Sequence, residues 1–245
     1  MLRVLFTIIN FVYLTWLTFI SIVYELALPI YLVLFFIFRQ GKLDDAFRIH
    51  NWAYGNYLVK LSWPYIRYSI KGRENIPEDG SSVIVLNHRS SFDIFFSSLV
   101  PVPNQLVIVR DWVYRIKLVR WAMKLANYMN IDHTSMQMFR QTGNEFRGRN
   151  VSFQFYPEGH RSRHGKLLRF RTGAFFMASE NDLPVLPVVM TGTEHFGSYK
   201  FPWLHPTKIV VNILPPVYPS EFEKNLRAQK MRRAVEKIYR EFLGE

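Results

Sequence analysis

The sequence contains no cysteine. Disulfides, thiolate metal sites and cysteine nucleophiles are therefore excluded, and the composition suits a reducing cytoplasmic compartment. Acidic residues are scarce as well, with 19 Asp plus Glu against 31 Lys plus Arg and a formal net charge of +12. Such an excess favours an anionic partner: nucleic acid, an acidic membrane surface, or a phosphorylated or acidic-protein substrate. The G-x-S-x-G elbow of a serine hydrolase is missing, which removes the main support for Ser90 or Ser162 as a nucleophile. The seven histidines show neither H-E-x-x-H nor a comparable ligand spacing, so neither a metal nor a bound cofactor is expected.

Charge is also nearly absent from one long stretch. Between Val4 and Phe38 the only charged residue is Glu25. About 20 apolar residues span a bilayer core, so this run exceeds one span, and Pro29 should kink or break a helix within it. A signal peptide does not fit so long a run without a small-residue cleavage site. Basic residues together with 16% aromatics describe either a nucleic-acid binder or a protein at a bilayer interface. The apolar run selects the bilayer, leaving an anionic membrane surface and no nucleic acid as the expected partner. Arg39 and Lys42 close the run. By the positive-inside tendency the chain beyond them is expected to be cytoplasmic, on the cytoplasmic (inner) membrane. Ala46, Ile49, Ala53, Tyr57 and Leu61 then recur at helical spacing until Pro64. Residues 1–64 are expected to be membrane-anchoring helices, joined at Gly41 as a hairpin lying partly in one leaflet or with the first crossing fully, and 65–245 a catalytic domain.

Short β-branched runs come next at 82–86, 105–109, 151–155, 184–190 and 208–214, each bounded by turn residues such as Pro77-Glu78-Asp79-Gly80. Helical patterns lie between them at 91–99, 112–129, 136–147 and 172–180. A capping box at Ser220 and Glu223 opens a C-terminal helix to about Leu243, with Leu226, Ala234, Val235, Ile238 and Phe242 on its packing side. The alternation predicts an α/β fold with a mixed, largely parallel sheet flanked by helices. In such sheets sites gather beyond the strands' carboxyl ends. Two polar clusters stand there.

The first is Asn87-His88-Arg89-Ser90-Ser91-Phe92-Asp93. If Ser90 or Ser91 caps the next helix, His88 lies in the turn and Asp93 in the first helical turn, within reach of each other. A carboxylate on one imidazole nitrogen makes the other a better proton acceptor, although a His and Asp can also merely cap a helix. The second is Tyr156-Pro157-Glu158-Gly159-His160-Arg161-Ser162-Arg163, continuing through His164-Gly165-Lys166 to Arg169 and Arg171. Arg forks and turn amides make it a plausible anion cradle, as they would a solvated basic loop.

The pair of motifs, N-H-x4-D and then Y-P-E-G-H-R-S some 65 residues later, resembles the glycerolipid acyltransferase family, particularly the 1-acylglycerol-3-phosphate acyltransferases. The resemblance covers roughly residues 65–215. It implies a glycerolipid acyltransferase-like fold in which His88 deprotonates an acceptor hydroxyl and Asp93 orients it. It further implies a substrate-binding set of Glu158, Gly159, Arg161, Ser162 and Arg110, in which Glu158 and Arg161 bind a glycerol phosphate, Gly159 keeps the turn tight and Arg110 can meet a phosphate. Arg110 stands where the family often has a Lys, and Ile131-Asp132-His133 where I-D-R is usual. Tyr156 and His160 replace the common Phe and Thr. Implied partners are lysophosphatidic acid as acceptor and an acyl carrier protein or coenzyme A thioester as donor. Glycerol 3-phosphate or another lysophospholipid is the alternative acceptor, and a non-catalytic basic membrane module the alternative function.

Overall fold

The computed structural model describes residues 2–39, 41–78, 80–146, 148–162, 166–197 and 203–245. Asp79 of the predicted turn and Arg163, His164 and Gly165 of the basic cluster lie outside them. The chain opens with three helices, α1 (Leu2–Leu26), α2 (Leu28–Arg39) and α3 (Leu43–Leu61). Ala27 separates the first two, which places Pro29 in the first turn of α2, where its missing N–H costs nothing.

Among the described residues seven strands form one sheet: β1 (Ile66–Lys71), β2 (Val83–Leu86), β3 (Gln105–Val109), β4 (Met129–Asn130), β5 (Ser152–Phe155), β6 (Val185–Thr191) and β7 (Thr207–Ile213). Their order is β1-β7-β6-β2-β5-β3-β4, and of these neighbouring pairs β6–β7 alone is antiparallel. The mixed, largely parallel α/β architecture is therefore as expected. Between the strands lie a single helical turn, α4 (Asp93–Phe96), then α5 (Asp111–Tyr114), α6 (Lys117–Leu125), α7 (Met136–Phe146), α8 (Gly173–Asn181) and the C-terminal α9 (Arg227–Leu243).

Both faces of the central strands are buried. Val83, Val85, Phe153, Phe155, Val185 and Val189 pack with Phe139, Phe175, Met231, Val235 and Tyr239 of α7, α8 and α9. The alternate residues Ile84, Leu86, Leu186, Val188 and Met190 pack with Tyr13, Val59, Phe96 and Leu99 on the other side. Continuous apolar strands with period-2 partition between two helical layers produce this three-layer core. Pro187 sits inside β6, yet the β6–β7 register begins only at Val188–Ile213, so its absent donor leaves no gap in that ladder.

Three expected helices are altered. The helix expected at 91–99 shrinks to the turn of α4, continued by a 3₁₀ turn at Ser97–Leu99. The one expected at 112–129 breaks at Arg115–Ile116: Tyr114 hydroxyl donates to Tyr128 O, and the Arg120 side chain takes up Tyr114 O. The capping box predicted at Ser220–Glu223 is displaced. A box forms two residues earlier, Glu221 accepting from Tyr218 N at 2.9 Å, and closes a 3₁₀ turn, while α9 begins only at Arg227. In α3 the buried face is also rotated from the expected stripe. It runs through Ala46, Phe47, His50, Gly55 and Val59, leaving Tyr57 and Leu61 exposed. Gly55 explains the rotation, because a Cβ there would come within 2.8 Å of Ser98 Oγ.

Candidate active site

Strands β2, β5 and β3 are parallel neighbours, so the residues following them share one edge of the sheet. His88 follows β2, Glu158 to Arg161 follow β5, and Arg110 follows β3. At about 4.8 Å between strands, the three groups spread over roughly 10 Å of that edge.

Asp93 organises the first cluster. Its Oδ2 accepts from His88 Nδ1 at 2.8 Å, from Arg89 N at 2.7 Å and from Ser90 N at 2.8 Å. The carboxylate is buried, whereas the His88 side chain is 24% exposed. The helix-capping alternative is only half of the picture. Ser90 Oγ accepts from Phe92 N within the turn, and Phe92, not a serine, occupies the N-cap position of α4. With Nδ1 held by a carboxylate, Nε2 is the ring nitrogen left to accept a proton. The Tyr156 ring packs on the imidazole at 4.6 Å between centroids. Burial first, and then the nearby Asp93 charge, push the Tyr156 phenol well above its ordinary pKa, so it stays neutral.

The second cluster divides into inward and outward residues. Glu158 is 3% exposed, and its two oxygens accept from His88 N at 2.8 Å and from Leu168 N at 2.9 Å. It thus fastens the His88 turn to the 166–171 segment. Burial raises its carboxyl above the usual range, although the two amides oppose that shift. Ser162 is likewise buried, with its N–H donating to His88 O at 2.8 Å. Gly159 adopts φ +72°, a left-handed conformation that favours glycine, and its open face lies against the Arg171 side chain. Arg161 is exposed and reaches across to Ser91 Oγ on the His88 turn. The structure therefore places Arg161 as an outward-facing cation against the turn that carries His88, with the buried Glu158 and Ser162 and the tight Gly159 turn behind it.

Arg110 lies further along the edge and pairs with Asp132, Nη2 to Oδ1 at 3.1 Å, so two separately singled-out positions meet. His133 turns instead to Asp111 at 3.3 Å. Hydrogen bonds from Arg115, Asn130 and His133 lower the Asp111 carboxyl, and those from Asp111 N and Arg110 lower Asp132. Two contributors were not assigned a role from sequence. Tyr156 follows β5 as His88 nearly follows β2, a position that could have flagged it. Asn87 clasps β6 with its amide, donating to Met190 O at 2.8 Å and accepting from Met190 N at 2.7 Å.

Comparison with known proteins is consistent with this geometry. The acyltransferase family model matches residues 67–191, both clusters included. A 1-acyl-sn-glycerol-3-phosphate acyltransferase of Limnanthes douglasii is 28% identical over 173 residues, covering 67% of this chain and 60% of that protein. A 1-acyl-sn-glycerol-3-phosphate acyltransferase alpha of Mus musculus is 28% identical over 161 residues, 62% of this chain and 55% of the relative. The chain thus spans less than two thirds of the length of these curated relatives. The crystal structure of the 1-acyl-sn-glycerophosphate (LPA) acyltransferase PlsC from Thermotoga maritima superposes with a TM-score of 0.71 at 27% identity, covering 94% of each chain.

Proposed function

The chain belongs to the acyltransferase family, and on that premise we propose that it transfers a fatty acyl group from a thioester to the sn-2 hydroxyl of 1-acyl-sn-glycerol 3-phosphate, giving phosphatidic acid. The observation that carries the reading is the buried Asp93 on His88 Nδ1, with the Arg161 guanidinium tied to the same turn. His88 Nε2 takes the acceptor proton as the hydroxyl oxygen attacks the thioester carbonyl. The tetrahedral intermediate collapses, the C–S bond breaks, and the thiolate leaves with the proton from the imidazolium. Asp93 stabilises that imidazolium and holds the tautomer. A thioester is already activated, so positioning and proton transfer suffice without a further group. Arg161 takes the acceptor phosphate in bidentate fashion, and Arg110 extends the basic edge. Glu158, Gly159 and Ser162 act on the acceptor indirectly, through the turn that presents Arg161.

The donor is a coenzyme A or acyl carrier protein thioester, delivered from the cytoplasmic side. Membrane seating rests on α1 and α2. Helix α1 is 25 residues, about 37 Å at 1.5 Å per residue, long enough to cross a hydrocarbon core. However, Asn10, Tyr13, Trp16 and Tyr24 bind it to the body along its length. A crossing helix would drag those partners into the bilayer. Embedding in the cytoplasmic leaflet fits better, with residues 1–64 as the lipid-contacting part and 65–245 as the catalytic domain.

The deciding experiment is a transfer assay on purified protein. It compares lysophosphatidate, glycerol 3-phosphate and lysophosphatidylcholine under both donor types. Turnover on lysophosphatidate well above the other two is expected. Turnover confined to an acceptor without a phosphate monoester would rule out the Arg161 assignment.

A further inference from the structure

Tyr239 of α9 lies outside the family-matched segment and is buried away from the site, yet its hydroxyl is built into the strand that ends at His88. The side chain is fully buried, its ring edge-on to Phe170 at 5.1 Å between centroids. The hydroxyl lies 2.6 Å from Val85 O and 2.9 Å from Val188 O, and accepts from Val188 N at 3.0 Å. Those atoms belong to the last rungs of the β2–β6 ladder, which ends at Leu86–Val188. Beyond that point main-chain pairing gives way to side chains. Asn87 bonds Met190 through its amide, and His88 turns its own N–H and C=O to Glu158 and Ser162.

A phenol placed this way has one proton and three backbone partners, an arrangement that tolerates little displacement in a core without slack. Helix α9 and Glu245 just beyond it also grip the neighbouring segment. Glu236 accepts from Phe170 N at 3.3 Å and Glu245 from Leu167 N at 2.8 Å, while Glu245 lies 3.7 Å from Arg89. Apolar packing alone would need a Phe at 239, so the hydroxyl requires a separate reason.

We propose that Tyr239 is a positioning residue for the transfer reaction, its hydroxyl pinning Val85 and Val188 so that β2 delivers His88 at a fixed depth and angle to the acceptor. This rests on the reading of His88 as the base. Tyr239 acts on the chemical step and not on acceptor binding, which is the work of the Arg161 side of the site.

The test is Tyr239→Phe in the full chain, with kcat and KM for lysophosphatidate measured per folded molecule well below the unfolding temperature. A fall in kcat of about tenfold with KM within about twofold is expected, since sub-ångström misplacement of a base is felt in turnover. 4-Aminophenylalanine at 239, which keeps a donor on the same ring, should restore most of the rate. Selective imidazole ¹⁵N labelling should show His88 losing its single tautomer in the Phe variant and regaining it on rescue. Should Phe reduce the folded yield, 3,5-difluorotyrosine keeps the hydroxyl and alters its strength, and it too should change kcat alone. Wild-type kcat in the folded Phe or difluoro variant overturns the proposal. His88→Ala, assayed alongside, separates the two ideas: if it stays active the base assignment itself fails, and if it is dead while Tyr239→Phe is fully active only the positioning role fails.

Discussion

Asp93 Oδ2 serves the His88 ring and two backbone amides at once, so no neutral substitute can reproduce it. Asp93→Asn keeps the shape but turns an N–H₂ or a single carbonyl toward three donors. Loss of the fixed tautomer should lower kcat about 10²- to 10⁴-fold, and the unmet amides should cost about 1–3 kcal/mol of stability. His88→Ala should lower kcat by a similar factor with the circular dichroism spectrum unchanged, because a quarter-exposed ring contributes little to the core. Stopped-flow or radiolabel transfer assays read both. Glu158 gives a different signature. Burial raises its folded pKa above the unfolded value, so its stabilising contribution is complete below the unfolded value and is lost as pH rises through the folded one. Glu158→Gln removes that loss, although it also forfeits one amide bond. The stability gap between wild type and Glu158→Gln should therefore narrow as pH rises through and above the ordinary carboxylate range. Denaturant midpoints across that range check it, and a widening gap would contradict the burial argument.

At the scale of elements, α5 and α6 present Trp112, Ile116, Val119, Trp121 and Leu125 to the exterior among Arg115, Lys117, Arg120 and Lys124. Aromatic and basic residues mixed on an exposed helix suit a headgroup layer. Replacing the four basic residues with Gln should weaken binding to anionic vesicles, by about fivefold per charge, and leave binding to zwitterionic vesicles unchanged. Vesicle sedimentation distinguishes these outcomes. The same elements show what the sequence made legible. The central strands were readable because their β-branched runs are buried on both faces, and the two clusters because each ends such a strand. Strand β1 escaped notice because an edge strand reading Ile-Arg-Tyr-Ser-Ile-Lys has no apolar run, and β4 because two residues carry no period. The break at Arg115 depends on Tyr114 meeting Tyr128, a contact made only after folding. The framework role of Glu158 was hidden for a similar reason, since its partners are backbone amides 70 and 10 residues away.

At the scale of the whole molecule, α1 has two faces with separable jobs. Asn10, Tyr13 and Ile20 are buried at helical spacing, and Asn10 accepts from Leu204 N at 2.8 Å while Tyr13 stacks on Tyr65 at 4.2 Å. Phe11 and Phe19, on the opposite side of α1, are 71% and 58% exposed, and Phe38 of α2 is 77% exposed. Large aromatics left this bare on an otherwise packed body need an apolar medium to cover them, since each gains about 1.5–3 kcal/mol on leaving water. Substituting Phe11, Phe19 and Phe38 together with Gln should therefore release the protein from vesicles. Its unfolding temperature in detergent and its turnover on a short-chain, water-soluble lysophosphatidate should both be retained. Asn10→Ala with Tyr13→Ala should do the reverse, lowering the unfolding temperature by several degrees while the surviving folded protein still binds vesicles. If the Phe variants lost stability and the Asn10–Tyr13 variant lost vesicle binding, the faces would be reversed and the helix would have to enter the bilayer on its other side. The membrane would then stand against Tyr65 and Leu204, too close to the sheet for α1 and α2 to serve as the buried anchor.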